Sequence, residues 1–239
     1  MAQRQYALIT GASSGIGKAT ALAFAEAGIH LVLVGRALSR LEPVAIAARQ
    51  AGVQVQTYEI DLAELSEIRD KIATIVAALP QLDILVNNAG MGYTRSLMDT
   101  PLADWQAVMD LNLTSVLQCM QGVLPTLRQQ GWGTIINVAS IAAHQTFPNW
   151  GAYCVSKFGL LALSKTLAAE ERPHGIRVVL VSPGSVNTGL WDTETVQADF
   201  DRSAMLTPEI VAQSILHTAQ MPQTAVVEEL VLMPNAGTF

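Results

Sequence analysis

Apolar strand-like runs alternate with helix-period segments along almost the whole chain, and this alternation limits the possible folds more than any other feature. The runs fall at about 6–10, 30–34, 53–59, 83–87, 134–139, 176–182 and 226–232. Helical patterns fill the intervals near 15–28, 38–51, 64–79, 102–129, 151–171 and 208–220. Strands separated by helices are joined by crossovers rather than hairpins, and their continuous apolarity means burial on both faces. The expected class is therefore α/β: a doubly wound sheet of about seven mainly parallel strands, with helices on both faces.

A chain of 239 residues could hold one large domain or two small ones. No proline-rich or serine-rich linker, internal repeat or low-complexity run divides it, so residues 1–239 are read as a single domain. Local punctuation agrees. Thr100-Pro101 and Thr207-Pro208 each read as a capping hydroxyl before a proline at the first helical position. Gly28, Gly52 and Gly175 follow helical segments, where a left-handed cap is expected.

Composition narrows the partners. Hydrophobic residues make up 50% of the chain and charged residues 14%, with a formal net charge of −6, which argues against nucleic acid or an anionic membrane as partner. No apolar run approaches the ~18 residues of a membrane span. The stretch Met1–Gln5 lacks the apolar segment and cleavage site of a signal peptide, so a soluble, cytoplasmic protein is expected. Cys119 and Cys154 lie in helix-like segments and read as two buried thiols rather than a disulfide or a reactive pair. No metal is expected; the partner is a small molecule or another copy of the chain.

The first strand, Tyr6–Thr10, runs directly into Gly11-Ala12-Ser13-Ser14-Gly15-Ile16-Gly17 and then a helical segment. Glycines between a strand and a helix let the backbone approach a pyrophosphate, which meets free N–H groups at the helix N-terminus. The spacing is Gly-x-x-x-Gly-x-Gly, and tight packing alone would also use it. The second strand ends in Gly35-Arg36-Ala37, with no carboxylate to hold an adenosine 2′-hydroxyl. Arg36 suits a 2′-phosphate instead, which favours NADP over NAD; a solvated surface arginine is the alternative, and Arg40 a potential helper.

Ser140 closes the apolar run 134–139, and a loop leads to Tyr153-Cys154-Val155-Ser156-Lys157. In a helix, Tyr153 and Lys157 share a face one turn apart. A phenol titrates near ~10, and a neighbouring ammonium is expected to favour its ionised form. The same spacing also occurs on ordinary solvated helix faces.

Thr10-Gly11-x-x-x-Gly15-Ile16-Gly17, Asp61-Leu62, Asn87-Asn88-Ala89-Gly90, Asn112, Ser140, Tyr153-x-x-x-Lys157 and Pro183-Gly184 occur together in the order of the short-chain dehydrogenase/reductase family. The resemblance runs from about residue 6 to 189 and is to the compact, single-domain branch, which has a Rossmann-like fold. It excludes the longer tyrosine–lysine spacing of enoyl reductases. It implies an NADPH-dependent carbonyl reductase acting on a ketone or 3-oxoacyl substrate. Tyr153 would be the general acid, Ser140 would hold the carbonyl oxygen, and Lys157 would tune the phenol and grip the nicotinamide ribose.

The resemblance also assigns supporting residues. Asp61, with Leu62 behind it, would meet the adenine amino group, although Asp61 could equally cap the following helix. Asn88, Ala89 and Gly90 would lie along the cofactor or brace the sheet. Asn112 would keep a water against Lys157; as a poor helix-interior residue it could instead bond helix backbone and kink it. Pro183 and Gly184 would wall the nicotinamide, with the Val186 backbone contacting its carboxamide and Thr188 offering a hydroxyl, while Ser13 and Ser14 belong to the phosphate turn.

Residues 189–206, with Leu190, Trp191, Phe200 and Met205, read as a mobile substrate lid. Gly92-Tyr93, His144-Gln145, Phe147 and Trp150 would line the other sides of the pocket. A Ser140–His144 hydrolase pair is the weaker reading, because no Gly-x-Ser-x-Gly elbow surrounds Ser140. The helix after Lys157 is apolar around much of its circumference, and the resemblance implies a homotetramer paired through it. Two rival functions stand beside the first. One is a dedicated 3-oxoacyl-carrier-protein reductase, disfavoured by the acidic charge and by His174 where such reductases often carry arginine. The other is a cofactor-binding regulator without catalysis.

Overall fold

The computed structural model describes residues 5–198 and 201–237. Seven strands, β1 (Tyr6–Thr10), β2 (His30–Gly35), β3 (Val55–Glu59), β4 (Ile84–Asn87), β5 (Gly133–Val138), β6 (Ile176–Pro183) and β7 (Glu229–Leu232), form one sheet. Their spatial order is β3-β2-β1-β4-β5-β6-β7, and every neighbouring pair is parallel. The chain winds outward from β1 to β3, returns past β1 to β4, and winds outward again. The reversal between β1 and β4 opens a crevice at the carboxyl ends of those strands, where open α/β sheets bind ligands.

Among the described residues, seven α-helices accompany the sheet: α1 (Gly15–Glu26), α2 (Leu38–Gln50), α3 (Ile68–Ala77), α4 (Leu102–Met109), α5 (Ser115–Gln130), α6 (Gly151–Glu171) and α7 (Pro208–Ala219). One core packs the sheet against α1, α2 and α7 through Phe24, Leu41, Val44, Val211 and Ile215. The other packs it against α3, α5 and α6 through Ile72, Val116, Met120, Val123, Leu160 and Leu167. In β1, Ala7 and Ile9 enter the first core while Leu8 enters the second, so a continuous apolar run serves both faces. Phe24 is fully buried and contributes about 2–3 kcal/mol by leaving water.

Several expected boundaries move for identifiable reasons. Pro101 stands at the N-cap of α4 with extended backbone rather than at the first helical position. Thr100 turns away from the cap and donates its hydroxyl to Ser96 O at 2.8 Å. Thr207 does cap α7, accepting from Ile210 N at 3.4 Å. The helical segment 102–129 is divided by a π-helical turn at Asp110–Thr114. The one at 64–79 opens with a 3-10 turn, Leu65–Glu67. β7 starts later than the apolar run because Arg177 Nη1 draws the carbonyls of Met221, Pro222 and Ala225 into a turn at 2.7–3.0 Å. Gly28, Gly52 and Gly175 take the left-handed conformation expected of them. Cys119 and Cys154 are free and buried, and burial pushes the Cys119 thiol up to about 12.

Candidate active site

The turn from β1 into α1 is built for close backbone approach. Gly11 (φ 63°) and Gly15 (φ 52°) lie in the left-handed region. A Cβ on Gly17 would stand 2.3 Å from Gly11 O, so no side chain fits there. Ser14, the N-cap of α1, makes no side-chain cap bond, and the first turn carries no acidic residue. The amino end of α1 thus keeps donors and a positive dipole end for an anion. Ser14 is exposed and Ser13 half-buried beside it, while Ile16 packs against the core.

The segment after β4 braces this turn. Thr10 Oγ1 accepts from Asn88 N at 3.0 Å and Ala89 N at 3.1 Å. Asn88 Nδ2 donates to Thr10 O at 3.0 Å and Gly11 O at 3.2 Å. The sheet-bracing role of Asn88 and Ala89 is therefore concrete: they fix the glycine turn from the neighbouring strand end.

At the end of β2, Arg36 and Arg40 are both exposed. The parallel register pairs Gly35 with Glu59, bringing a carboxylate to this corner that the local sequence of β2 does not contain. Glu59 Oε2 is engaged by Leu38 N at 3.0 Å, at the start of α2. Only the β2–β3 register signals this neighbour. Asp61 is exposed and its Oδ1 accepts from Ala63 N at 3.0 Å, capping the turn, while Leu62 is buried.

Ser140, Tyr153 and Lys157 come together where β5 ends and α6 begins. Ser140 lies beside the Tyr153 phenol, and its Oγ accepts from Ala142 N at 3.1 Å. Lys157 is 5% exposed, donates from Nζ to Val138 O at 3.1 Å, and stands 5.7 Å from the Tyr153 ring centroid. Burial pushes the phenol up to about 12, opposed by the neighbouring Ser140 hydroxyl and raised further by Cys154. Burial also lowers Lys157 to about 8. Loss of solvation is the largest influence on the phenol in the unliganded chain.

Asn112 occupies the π-helical turn, a geometry frequent at functional positions. Its side chain bonds the loop after β4 rather than its own helix. Nδ2 donates to Met91 O at 2.9 Å and to Ser156 Oγ at 3.1 Å, and Oδ1 accepts from Met91 N at 2.8 Å. Ser156 Oγ in turn donates to Tyr153 O at 2.7 Å. A Cβ on Gly90 would lie 3.1 Å from Asn112 Oδ1 and 3.8 Å from Lys157 Nζ, so Gly90, Asn112 and Lys157 are neighbours.

The loop after β6 closes the other side. A Cβ on Gly184 would meet Pro234 at 2.7 Å, and one on Gly15 would meet the Thr188 methyl at 3.2 Å. Thr188 therefore leans on the glycine turn, and Pro183 is buried behind it. Thr188 Oγ1 accepts from Leu190 N at 3.3 Å. Val186 O accepts from Trp191 Nε1 at 2.8 Å, a partner that the sequence did not foreshadow. Trp150 packs edge-on against Tyr153 (5.4 Å) and Trp191 (5.8 Å), giving the site an aromatic wall.

The segment 189–206 is fastened in its middle and at its end. Thr195 Oγ1 donates to Gly92 O at 2.8 Å and Thr94 N to Thr195 O at 2.9 Å. Leu206 N donates to Ser185 O at 3.0 Å, and Asn187 N to Leu206 O at 2.9 Å. Phe200 lies outside the described residues. Tyr93 is buried with its hydroxyl donated to Asp104 at 2.8 Å. His144 pairs with Ser182, not Ser140: its Nε2 lies 2.9 Å from Ser182 Oγ.

A glycine turn at the first crossover and a serine–tyrosine–lysine cluster at the carboxyl edge of a parallel sheet define a class of Rossmann-type proteins. Residues 5–199 match the model of the short chain dehydrogenase family, and the chain belongs to that family. It is 33% identical over 237 residues to a sepiapterin reductase of Chlorobaculum tepidum, covering 96% of each chain. It is 38% identical over 197 residues to a 3-oxoacyl-[acyl-carrier-protein] reductase of Synechocystis, covering 82% of this chain and 78% of that one. Among solved structures, an alcohol dehydrogenase of Thermococcus sibiricus complexed with 5-hydroxy-NADP superposes with a TM-score of 0.89 at 28% identity, covering 98% and 97% of the two chains.

Proposed function

We propose that the chain is an NADPH-dependent oxidoreductase that interconverts a ketone, or a 3-oxoacyl group, and a secondary alcohol. The observation that carries this reading is the gathering of Ser140, the half-buried Tyr153 and the buried Lys157 at one strand end, with Lys157 Nζ 5.7 Å from the Tyr153 ring centroid. The open N-terminus of α1 fits the pyrophosphate of a dinucleotide, and the cradle of Gly11, Gly15 and Gly17 leaves room for it. Arg36 is exposed at the corner where an adenosine 2′-phosphate would lie, which favours NADP over NAD. Asp61, Gly90, Pro183, Gly184, Val186 and Thr188 complete the proposed cofactor cleft, and similarity to the NADP-complexed Thermococcus enzyme supports it.

When bound, the nicotinamide supplies or accepts the hydride. In reduction Tyr153 gives its hydroxyl proton to the carbonyl oxygen. Ser140 donates a hydrogen bond to that oxygen and stabilises the charge growing on it. Lys157 holds the nicotinamide ribose and offsets phenolate charge after the proton leaves. Asn112, anchored on Met91 and Ser156, keeps a water against Lys157 for resupply of the proton. In oxidation Tyr153 acts as the base. Trp150 and Trp191, with Leu190 and Val196 packed against Gly92, wall the substrate side, and 189–206 is its lid.

Val155 and Phe158 on α6 are 47% and 39% exposed, and Leu102 on α4 is 79% exposed. An apolar face of this kind is proposed to be covered in a homotetramer. Among the described residues, no helix is long and apolar enough to cross a membrane, and a cytoplasmic location accords with the acidic charge. The second reading, a dedicated 3-oxoacyl-carrier-protein reductase, is favoured by similarity to the Synechocystis protein and opposed by His174 and the net charge of −6. NADPH consumption over a panel of free ketones, coenzyme A thioesters and carrier-bound 3-oxoacyl groups decides between them. Binding of NADPH without turnover of any would favour a non-catalytic regulator.

A further inference from the structure

His144 Nε2 stands between two oxygens, 2.9 Å from Ser182 Oγ and 3.3 Å from Glu229 Oε1. The second oxygen of Glu229 lies 3.3 Å from Lys165 Nζ. A carboxylate facing Nε2 is attractive only if that nitrogen carries a hydrogen, so the ring donates here. A hydrolytic Ser–His–acid relay is excluded by the geometry. Serine and acid meet the same ring nitrogen rather than opposite ones, and Ser182 is fully buried.

The cluster instead ties together the elements that carry the site. His144 ends the turn begun by Ser140, whose own bonds are local: Ala143 N to Ser140 O and His144 N to Ile141 O, both at 2.9 Å. Ser182 lies in β6 directly before Pro183 and Gly184, and Glu229 lies in β7, paired with Leu180 of β6. Lys165 belongs to α6, the helix of Tyr153 and Lys157. We infer that His144 is a positioning residue: gripping Ser182 and Glu229, it fixes the turn that presents Ser140 against the strand end that leads into the nicotinamide loop. The inference rests on Ser140 acting on the substrate oxygen. The side chain touches neither substrate nor cofactor, and it acts through the placement of Ser140 relative to Pro183–Thr188.

The test is steady-state NADPH-dependent ketone reduction by the full chain, with NADPH binding and thermal stability measured on each variant. His144→Ala is predicted to lower kcat about 10- to 100-fold, the scale of a small misplacement of a reacting group, with KM and Kd for NADPH within about threefold. His144→Gln, whose amide nitrogen substitutes for Nε2, is predicted to recover kcat to within about threefold of the wild type. His144→Leu fills the same space without a hydrogen bond and replaces the alanine variant should that one unfold. A folded His144→Ala or His144→Leu with kcat within about twofold of wild type, or a His144→Gln as slow as they are, overturns the inference. Tyr153→Phe is run in parallel. If it is as active as wild type, the catalytic assignment itself fails and takes the positioning role with it.

Discussion

The ammonium of Lys157 stands 5.7 Å from the ring centroid of Tyr153, yet burial still holds the phenol up at about 12. The same burial brings Lys157 down to about 8, so both side chains are biased towards their neutral forms. A neutral phenol beside Ser140 is poised to give a proton rather than to take one.

The pH dependence follows from that bias. A raised phenol keeps its proton through neutral pH, so the phenol itself imposes no alkaline fall on ketone reduction until well above pH ~8, and a fall near 8 would belong to Lys157 losing its charge. Alcohol oxidation needs the phenolate and should climb with pH through at least pH ~10. Initial rates in both directions across this range check it; oxidation that is maximal near neutrality would show a phenol much more acidic than burial allows.

Stability should carry the signature of Lys157. Its folded value near 8 lies below its ordinary 10.5, so between these pH values the unfolded chain binds more protons and stability rises with pH. Below about 8 both states are protonated and the penalty of burying the charge is complete. In Lys157→Met this rise should be absent, so the melting-temperature difference, variant minus wild type, should fall as pH goes from 8 to 10.5. A pH-independent difference would place the ammonium in contact with water.

Arg36→Ala should weaken NADPH binding about 10- to 100-fold, the worth of a charge-assisted hydrogen bond, and leave NADH binding nearly unchanged. Fluorescence titration with both cofactors measures this. Equal losses for the two would remove the phosphate role and turn attention to Glu59, whose carboxylate lies at the same corner.

Gly17→Ala and Gly28→Ala separate crowding from backbone strain. A Cβ on Gly17 would stand 2.3 Å from Gly11 O and 2.4 Å from Asn88 Nδ2, so the glycine turn must shift. Destabilisation of about 1–3 kcal/mol is predicted by denaturant unfolding, together with loss of NADPH affinity. Gly28 (φ 80°) has nothing near its Cβ position, and alanine there should cost about 1–2 kcal/mol and leave cofactor binding intact.

The sheet was legible because its strands are buried on both faces and read as unbroken apolar runs, and α6 matches the expected segment from Gly151 to Glu171. The order of strands was not, since nothing within β1 or β4 says that they pair. Asn112 was visible as an unfavourable helix residue. That its partners are Met91 and Ser156 depends on two loops meeting, which one sequence does not encode locally. For the same reason nothing within β2 reveals Glu59, and nothing near His144 in the sequence reveals its partners on β6 and β7. Pro101 misled because a proline fits an N-cap as well as the first helical position.

The central claim is that Tyr153 moves the proton. Its most direct test is NADPH consumption by Tyr153→Phe on a ketone that the wild type reduces, with NADPH affinity measured on the same preparation. The account predicts a fall in kcat of at least about 100-fold with affinity within about threefold. A phenylalanine variant that reduces the ketone at the wild-type rate would contradict it.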